Sequence, residues 1–145
     1  MARVSTYLNF MGETAEAFAF YKEVFDGEYL APTMTFGDIP ASPGMPPIPE
    51  SERGLVMHAE LSILDGHVLM ATDMLESMGH ERRIGNKITI NLEPDTRAET
   101  ERLYDLLSQG STDGTGLQDM PFGYWGTCCD RFGIRWMFNC AEPAA

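Results

Sequence analysis

NKITINL (86–92), EPDT (93–96) and RAETERLYDLLSQG (97–110) read in order as an alternating strand, a polar cap and a helix closed by glycine. The same order occurs earlier, as VSTYLNF (4–10), MGET (11–14) and AEAFAFYKEVFDG (15–27). Self-similarity of this kind marks a duplicated supersecondary unit. Tyr21 matches Tyr104 and Gly27 matches Gly110 at an offset of 83. Asn9 matches Asn91 one residue out of step, as a single insertion in the first turn would produce. The halves also end alike: LDGHVLM (64–70) parallels RFGIRWM (131–137) at an offset of 67, with Gly66 and Gly133 where a hairpin must turn. Each half reads as strand, helix, then three strands. One domain over 1–145 is expected, with module 1 at 1–75, a linker at 76–85 and module 2 at 86–141.

Local signals support these elements. Thr96 and Glu99 have the spacing of a capping box, in which the hydroxyl takes an orphan N–H and the carboxylate reaches back. Leu103, Leu106 and Leu107 then form an apolar stripe at helical spacing, matched in the first helix by Ala17, Tyr21, Val24 and Phe25. Gly27 and Gly110 are expected to end the helices in the left-handed conformation. In the strands the period is two. Lys87, Thr89 and Asn91 share one face, and Ser5, Tyr7 and Asn9 another. If the opposite face packs on a helix, these semi-polar faces line a cavity or an interface. The stretch 40–49 holds five prolines and a glycine, so it is a loop between the second and third strands.

Composition narrows the function. The chain has 145 residues, 43% of them hydrophobic, which suffices for a core without disulfide or metal. Ten basic residues stand against 22 acidic ones, a formal charge of −12. Such a balance repels phosphate backbones, and Arg82-Arg83 is the one close basic cluster, so no nucleic-acid partner is expected. No apolar run spans a bilayer and the first residues are too polar for a signal peptide, so no membrane partner is expected either. The cysteines, Cys128, Cys129 and Cys140, are odd in number and two are adjacent, which points to reduced thiols and a cytoplasmic setting.

The segments YLNF (7–10) followed by Phe20-Tyr21, MHAEL (57–61), LMATD (69–73) and, most specifically, DRFGIRWMFN (130–139) resemble the vicinal oxygen chelate superfamily of glyoxalases, bleomycin-resistance proteins and dioxygenases, in its PhnB-like branch. The resemblance implies an α+β fold of two βαβββ modules, eight strands forming a cupped mixed sheet around a cavity, and a homodimer. In the metal-using members four ligands come from the first and last strands of the modules. Those positions fall here on Ser5, Met70, Lys87 and Met137. A hydroxyl, an amine and two thioethers do not suit a hard divalent ion. No cofactor is therefore expected, a divalent metal being the lesser alternative. The branch is sometimes labelled a demethylubiquinone methyltransferase, but no glycine-rich strand-to-helix turn supports that activity.

The binding face expected from this comprises Ser5, Tyr7, Met70, Lys87, Thr89, Asn91, Met137 and Trp125, with Lys87 as its cation for an anionic or carbonyl-bearing small molecule. His58 and Glu60 share a strand face, so they could serve as general base and orienter, although a structural cross-strand pair is the plainer reading. With no CxxC present, a zinc site through His58, Glu60 and a cysteine has at most two ligands from one strand. His67 and His80 are expected to be solvated. Cys128 and Cys129 read as small core residues, Trp136 as core, and most of the ten methionines as filling. The function expected is a small-molecule binding protein; the alternative is a metal-dependent or acid–base lyase, isomerase or dioxygenase-like enzyme.

Overall fold

The computed structural model describes residues 1–40 and 42–145; Ala41, inside the proline-rich loop, lies outside them. The chain divides into two compact units, Met1–Arg83 and Ile84–Ala145. The first contains β1 (Thr6–Phe10), α1 (Thr14–Phe25), β2 (Glu28–Tyr29), β3 (Met34–Thr35), β4 (Val56–Ser62) and β5 (Val68–Asp73). Its sheet has the order β1-β5-β4-β2, and β3 also pairs with β4. The second contains β6 (Ile90–Leu92), α2 (Arg97–Leu107), β7 (Asp113–Gly114), β8 (Gln118–Met120), β9 (Gly123–Cys129) and β10 (Arg135–Cys140). Its order is β6-β10-β9-β7, with β8 on β9. In each sheet the first strand runs parallel to the last and the other pairs are antiparallel. This is the expected α+β fold of two similar modules.

Among the described residues ten strand segments replace eight because the second strand of each module is broken. Pro32, between β2 and β3, has no N–H to donate. Gly116, between β7 and β8, sits at φ +74 and turns the ladder aside.

The duplication is visible at the turns. Ile63 N donates to His67 O at 2.8 Å, and Asp130 N to Ile134 O at 2.8 Å. Gly66 and Gly133 take positive φ at the same place in each. The strand register corrects one repeat match. Tyr7 stands opposite Met70 as Asn91 stands opposite Met137, so Asn91 corresponds to Tyr7 rather than to Asn9. A slip of two residues preserves the face, which is why alternation alone did not detect it.

The helices pack through the expected stripes: Ala17, Tyr21 and Val24 are buried on α1, and Leu103 and Leu107 on α2, with Phe18 added and Leu106 and Phe25 half-buried. Three capping details differ from expectation. Thr96 Oγ1 does accept from Glu99 N at 3.1 Å, but the Glu99 carboxylate turns to Arg102 at 2.9 and 2.7 Å, leaving the box half made. Helix α1 makes no side-chain cap of its own; Asp73, arriving from β5, supplies one by accepting from Gly12 N and Thr14 N. The left-handed residue after α1 is Asp26, at φ 48, not Gly27. Gly27 is needed for closeness: a Cβ there would lie 2.4 Å from the Ser62 carbonyl oxygen. Gly27→Ala should therefore cost about 1–3 kcal/mol, read as a lowered urea midpoint at unchanged slope.

Candidate functional site

On each sheet the buried and open residues alternate. In the first, Leu8, Phe10, Leu69, Ala71, Ala59 and Leu61 are buried. The opposite parity leaves Tyr7, Met70, His58 and Glu60 exposed or half-buried. Register fixes their neighbours: Tyr7 and Glu60 both stand opposite Met70, one on each side. His58 shares this face two residues before Glu60.

These side chains are bonded in a line. Glu60 Oε1 lies 3.0 Å from His58 Nε2, and His58 Nδ1 lies 3.3 Å from Tyr7 Oη. The Tyr7 and His58 rings are 5.9 Å apart at 31°. Beside them Ser5 Oγ donates to Met70 Sδ at 3.8 Å. Three expected residues thus come together on the first sheet with the weaker pair, His58 and Glu60: Tyr7 from β1, Ser5 just before it, and Met70 from β5.

The second sheet bears a comparable face. Met137 stands between Asn91 and Thr127, and Trp125 is opposite Asn139. Trp125 is half-buried and meets Phe122 edge to face at 6.3 Å. Lys87 departs from expectation. β6 begins only at Ile90, and Lys87 lies exposed in the bend before it. The cation on the sheet is Arg135, whose Nε reaches Thr89 Oγ1 at 3.4 Å and whose guanidinium lies 3.8 Å from Asp113. Period two counted back from Met137 would have found Arg135, and counted forward Asn139.

A separate recess of about 280 Å³ in the second unit is lined by Arg97, Asp119, Phe122, Tyr124 and Glu142 among others. Its polar groups are spent on one another. Arg97 forks onto Asp119 at 2.6 and 3.0 Å and lies 3.7 Å above the Tyr124 ring, while Glu142 accepts from Arg97 N at 2.6 Å. The Arg97 hydrogen bond holds the Asp119 carboxyl below its usual range, and burial with the Glu101 bond pushes the Tyr124 hydroxyl up. This recess is a braced surface.

The remaining candidates serve structure. His67 is not solvated but half-buried, with Nε2 2.9 Å from Thr6 Oγ1. His80, though exposed, accepts from Leu75 N at 2.9 Å. Burial pushes the Cys128 thiol up to about 11 and raises Cys129 as well, which leaves both protonated and poorly nucleophilic. Trp136 is fully buried, its Nε1 donating to Asp130 Oδ2 at 2.9 Å.

The donor set at the family's metal positions does not fit a hard divalent ion. Ser5 and Met70 are engaged with each other, Met137 is a thioether, and Lys87 lies outside the strand. Among the described residues no group of three or more His, Cys, Asp or Glu is placed to hold an ion.

The model of the 3-demethylubiquinone-9 3-methyltransferase family matches residues 2–138. The chain belongs to this family, the PhnB-like branch of the vicinal oxygen chelate superfamily. Protein PA1353 from Pseudomonas aeruginosa is 30% identical, with 99% of this chain and 100% of that one covered, at a TM-score of 0.84. The PhnB protein from Bacillus cereus is 24% identical over 97% and 100% of the two chains, TM-score 0.76. A glyoxylase/bleomycin resistance protein/dioxygenase domain from Frankia sp. EAN1pec shares the fold at 14% identity over 98% and 97%, TM-score 0.63. The family's name implies a methyl donor. This PhnB-like chain has no glycine-rich turn from strand into helix among its described residues, the feature that cradles nucleotide-type cofactors. No helix of the described residues is long and apolar enough to cross a membrane.

Proposed function

We propose that the chain binds a small molecule on the open face of the first sheet, through Tyr7, His58 and Glu60 with Ser5 and Met70 beside them, and without a resident divalent metal. The observation that carries this is the bonded line from Tyr7 through His58 to Glu60, left at the surface of a sheet whose other face holds the core. Polar groups placed among apolar neighbours are what orient a ligand. Thr89, Asn91, Met137 and Trp125 form the corresponding face of the second sheet, with Arg135 taking the cationic role expected of Lys87. Homodimerisation and a reducing, cytoplasmic setting complete the reading; the family resemblance supports the first and three free thiols the second.

A second reading, an acid–base enzyme, is favoured by the 3.0 Å contact of His58 with Glu60, since an imidazole held by a carboxylate is what a general base requires. The test is a thermal-shift screen of small aromatic and carbonyl compounds before and after chelator treatment. A binder present at about 100 times its Kd should stabilise the protein by about 2.7 kcal/mol, equally in both samples. Stabilisation lost with the chelator and restored by Mn or Zn would replace this reading with the metal-dependent enzyme.

A further inference from the structure

We infer that Tyr7 is the outer end of a proton relay, and that the face takes a ligand with an acidic hydroxyl of the phenol or enol type, which it holds as the oxyanion. The inference rests on the small-molecule reading and names the ligand class for it. A carboxylate only accepts hydrogen bonds, so the Glu60 contact at 3.0 Å puts the imidazole proton on His58 Nε2. A neutral imidazole carries one N–H, which leaves Nδ1 bare. The Tyr7 hydroxyl, 3.3 Å away, therefore donates to Nδ1. Its proton is turned inward and its lone pairs face outward. Tyr7 is 46% exposed, so a bound molecule meets those lone pairs.

Such a site selects for a donor. An ordinary alcohol forms a hydrogen bond to Tyr7 Oη and stops there. An acidic O–H goes further. Its proton passes to Tyr7 Oη while the original Tyr7 proton passes to His58 Nδ1. The ligand O–H bond and the old Tyr7 O–H bond break; a new Tyr7 O–H bond and an N–H bond form. Nothing is oxidised and no co-reactant is consumed. The oxyanion then accepts from the new Tyr7 O–H, Tyr7 Oη accepts from Nδ1–H, and the imidazolium rests against Glu60 (an ion pair made inside the line). Net charge does not change.

The neighbours fit this assignment. Beside Tyr7 and Glu60, the register sets two neutral thioethers on this face, Met34 opposite His58 on β3 and Met70 on β5 between Tyr7 and Glu60, and places the Thr72 hydroxyl of β5 level with His58. None of these register neighbours is a cation. Thioethers and the tilted Tyr7 and His58 rings suit the flat apolar body of a phenol or enol. A carboxylic acid has already lost its proton at neutral pH and meets outward lone pairs with Glu60 behind them, so it should bind worse.

The probe is 4-nitrophenol, whose phenolate has its own visible band. At a pH equal to the probe's own pKa, where the free probe is half ionised, excess protein should raise that band. Tyr7→Phe and His58→Gln should remove the rise, and Glu60→Gln should cut the ratio of ionised to neutral bound probe roughly tenfold, the effect of one pKa unit. Circular dichroism of each variant separates loss of the relay from loss of the fold, and Tyr7→Phe, at an exposed position, is the variant that decides. Binding of 4-nitrophenol with no rise in the phenolate band would overturn the relay and leave the small-molecule reading standing. Benzoate bound as tightly as 4-nitrophenol would overturn the ligand class. Failure of both compounds to bind would overturn the relay and that reading together.

Discussion

Asp73→Ala should lower stability by about 3–5 kcal/mol, enough to remove much of the 5–15 kcal/mol typical of a domain. Asp73 is 2% exposed and its two oxygens accept four hydrogen bonds. Oδ1 takes Gly12 N at 2.9 Å, Thr14 N at 3.1 Å and Thr14 Oγ1 at 2.7 Å. Oδ2 takes Val56 N at 2.8 Å. One side chain thus ties the end of β5 to the start of β4 and caps α1 where that helix has no cap of its own. Its negative charge also lies at the positive end of the helix dipole. Alanine would strand buried N–H groups on Thr14 and Val56, and each such orphan costs about 1–3 kcal/mol. Urea denaturation with far-ultraviolet circular dichroism reads the change. A loss below about 1 kcal/mol would mean that the carboxylate does not brace the turn. Asp73→Asn should fall between, because its amide must set one N–H against another donor.

The second large effect belongs to Trp136. It is fully buried in β10, with Cys128 on β9 and Ile90 on β6 as its strand partners. Truncation to alanine should cost about 3–5 kcal/mol from lost burial and the cavity left behind. Trp136→Phe should cost less. It keeps most of the apolar volume but removes the donor to Asp130 Oδ2, while the Phe132 and Ile134 amides still reach Oδ1 at 2.9 and 3.0 Å. Comparing the two urea midpoints separates packing from the Nε1–Asp130 bond. Equal losses in both variants would assign the whole effect to that bond.

How far this was legible in the sequence follows from range. The module order, the hairpin glycines and the helical stripes depend on residues within a few positions of one another, and alternation with turn chemistry sufficed for them. The pairing of His58 with Glu60 is also local, two residues on one strand. The Tyr7–His58 bond spans 51 residues and the Asp73 bonds to the α1 turn span 59 and 61, so only the sheet register brings those atoms together. Lys87 was misplaced because alternation does not say where a strand stops. β10 pairs with β6 only from Trp136 to Phe138, so residues before Ile90 lose the ladder, and Ile88, which alternation sets opposite to Lys87 and Thr89, is 81% exposed. The two modules also cap their helices differently. Thr96 does in α2 what a buried carboxylate from a distant strand does in α1, and no local pattern announces the second solution.

The central claim is that a small molecule is held on the open face of the first sheet by the chain's own polar groups, with no metal. Its most direct test is two-dimensional NMR of isotope-labelled, chelator-treated protein titrated with 4-nitrophenol. The account predicts shifts concentrated at Ser5, Tyr7, His58, Glu60 and Met70, with the His58 ring nitrogens moving most. Shifts gathered instead around Arg97, Phe122 and Tyr124, or appearing only after a divalent ion is added back, would contradict it.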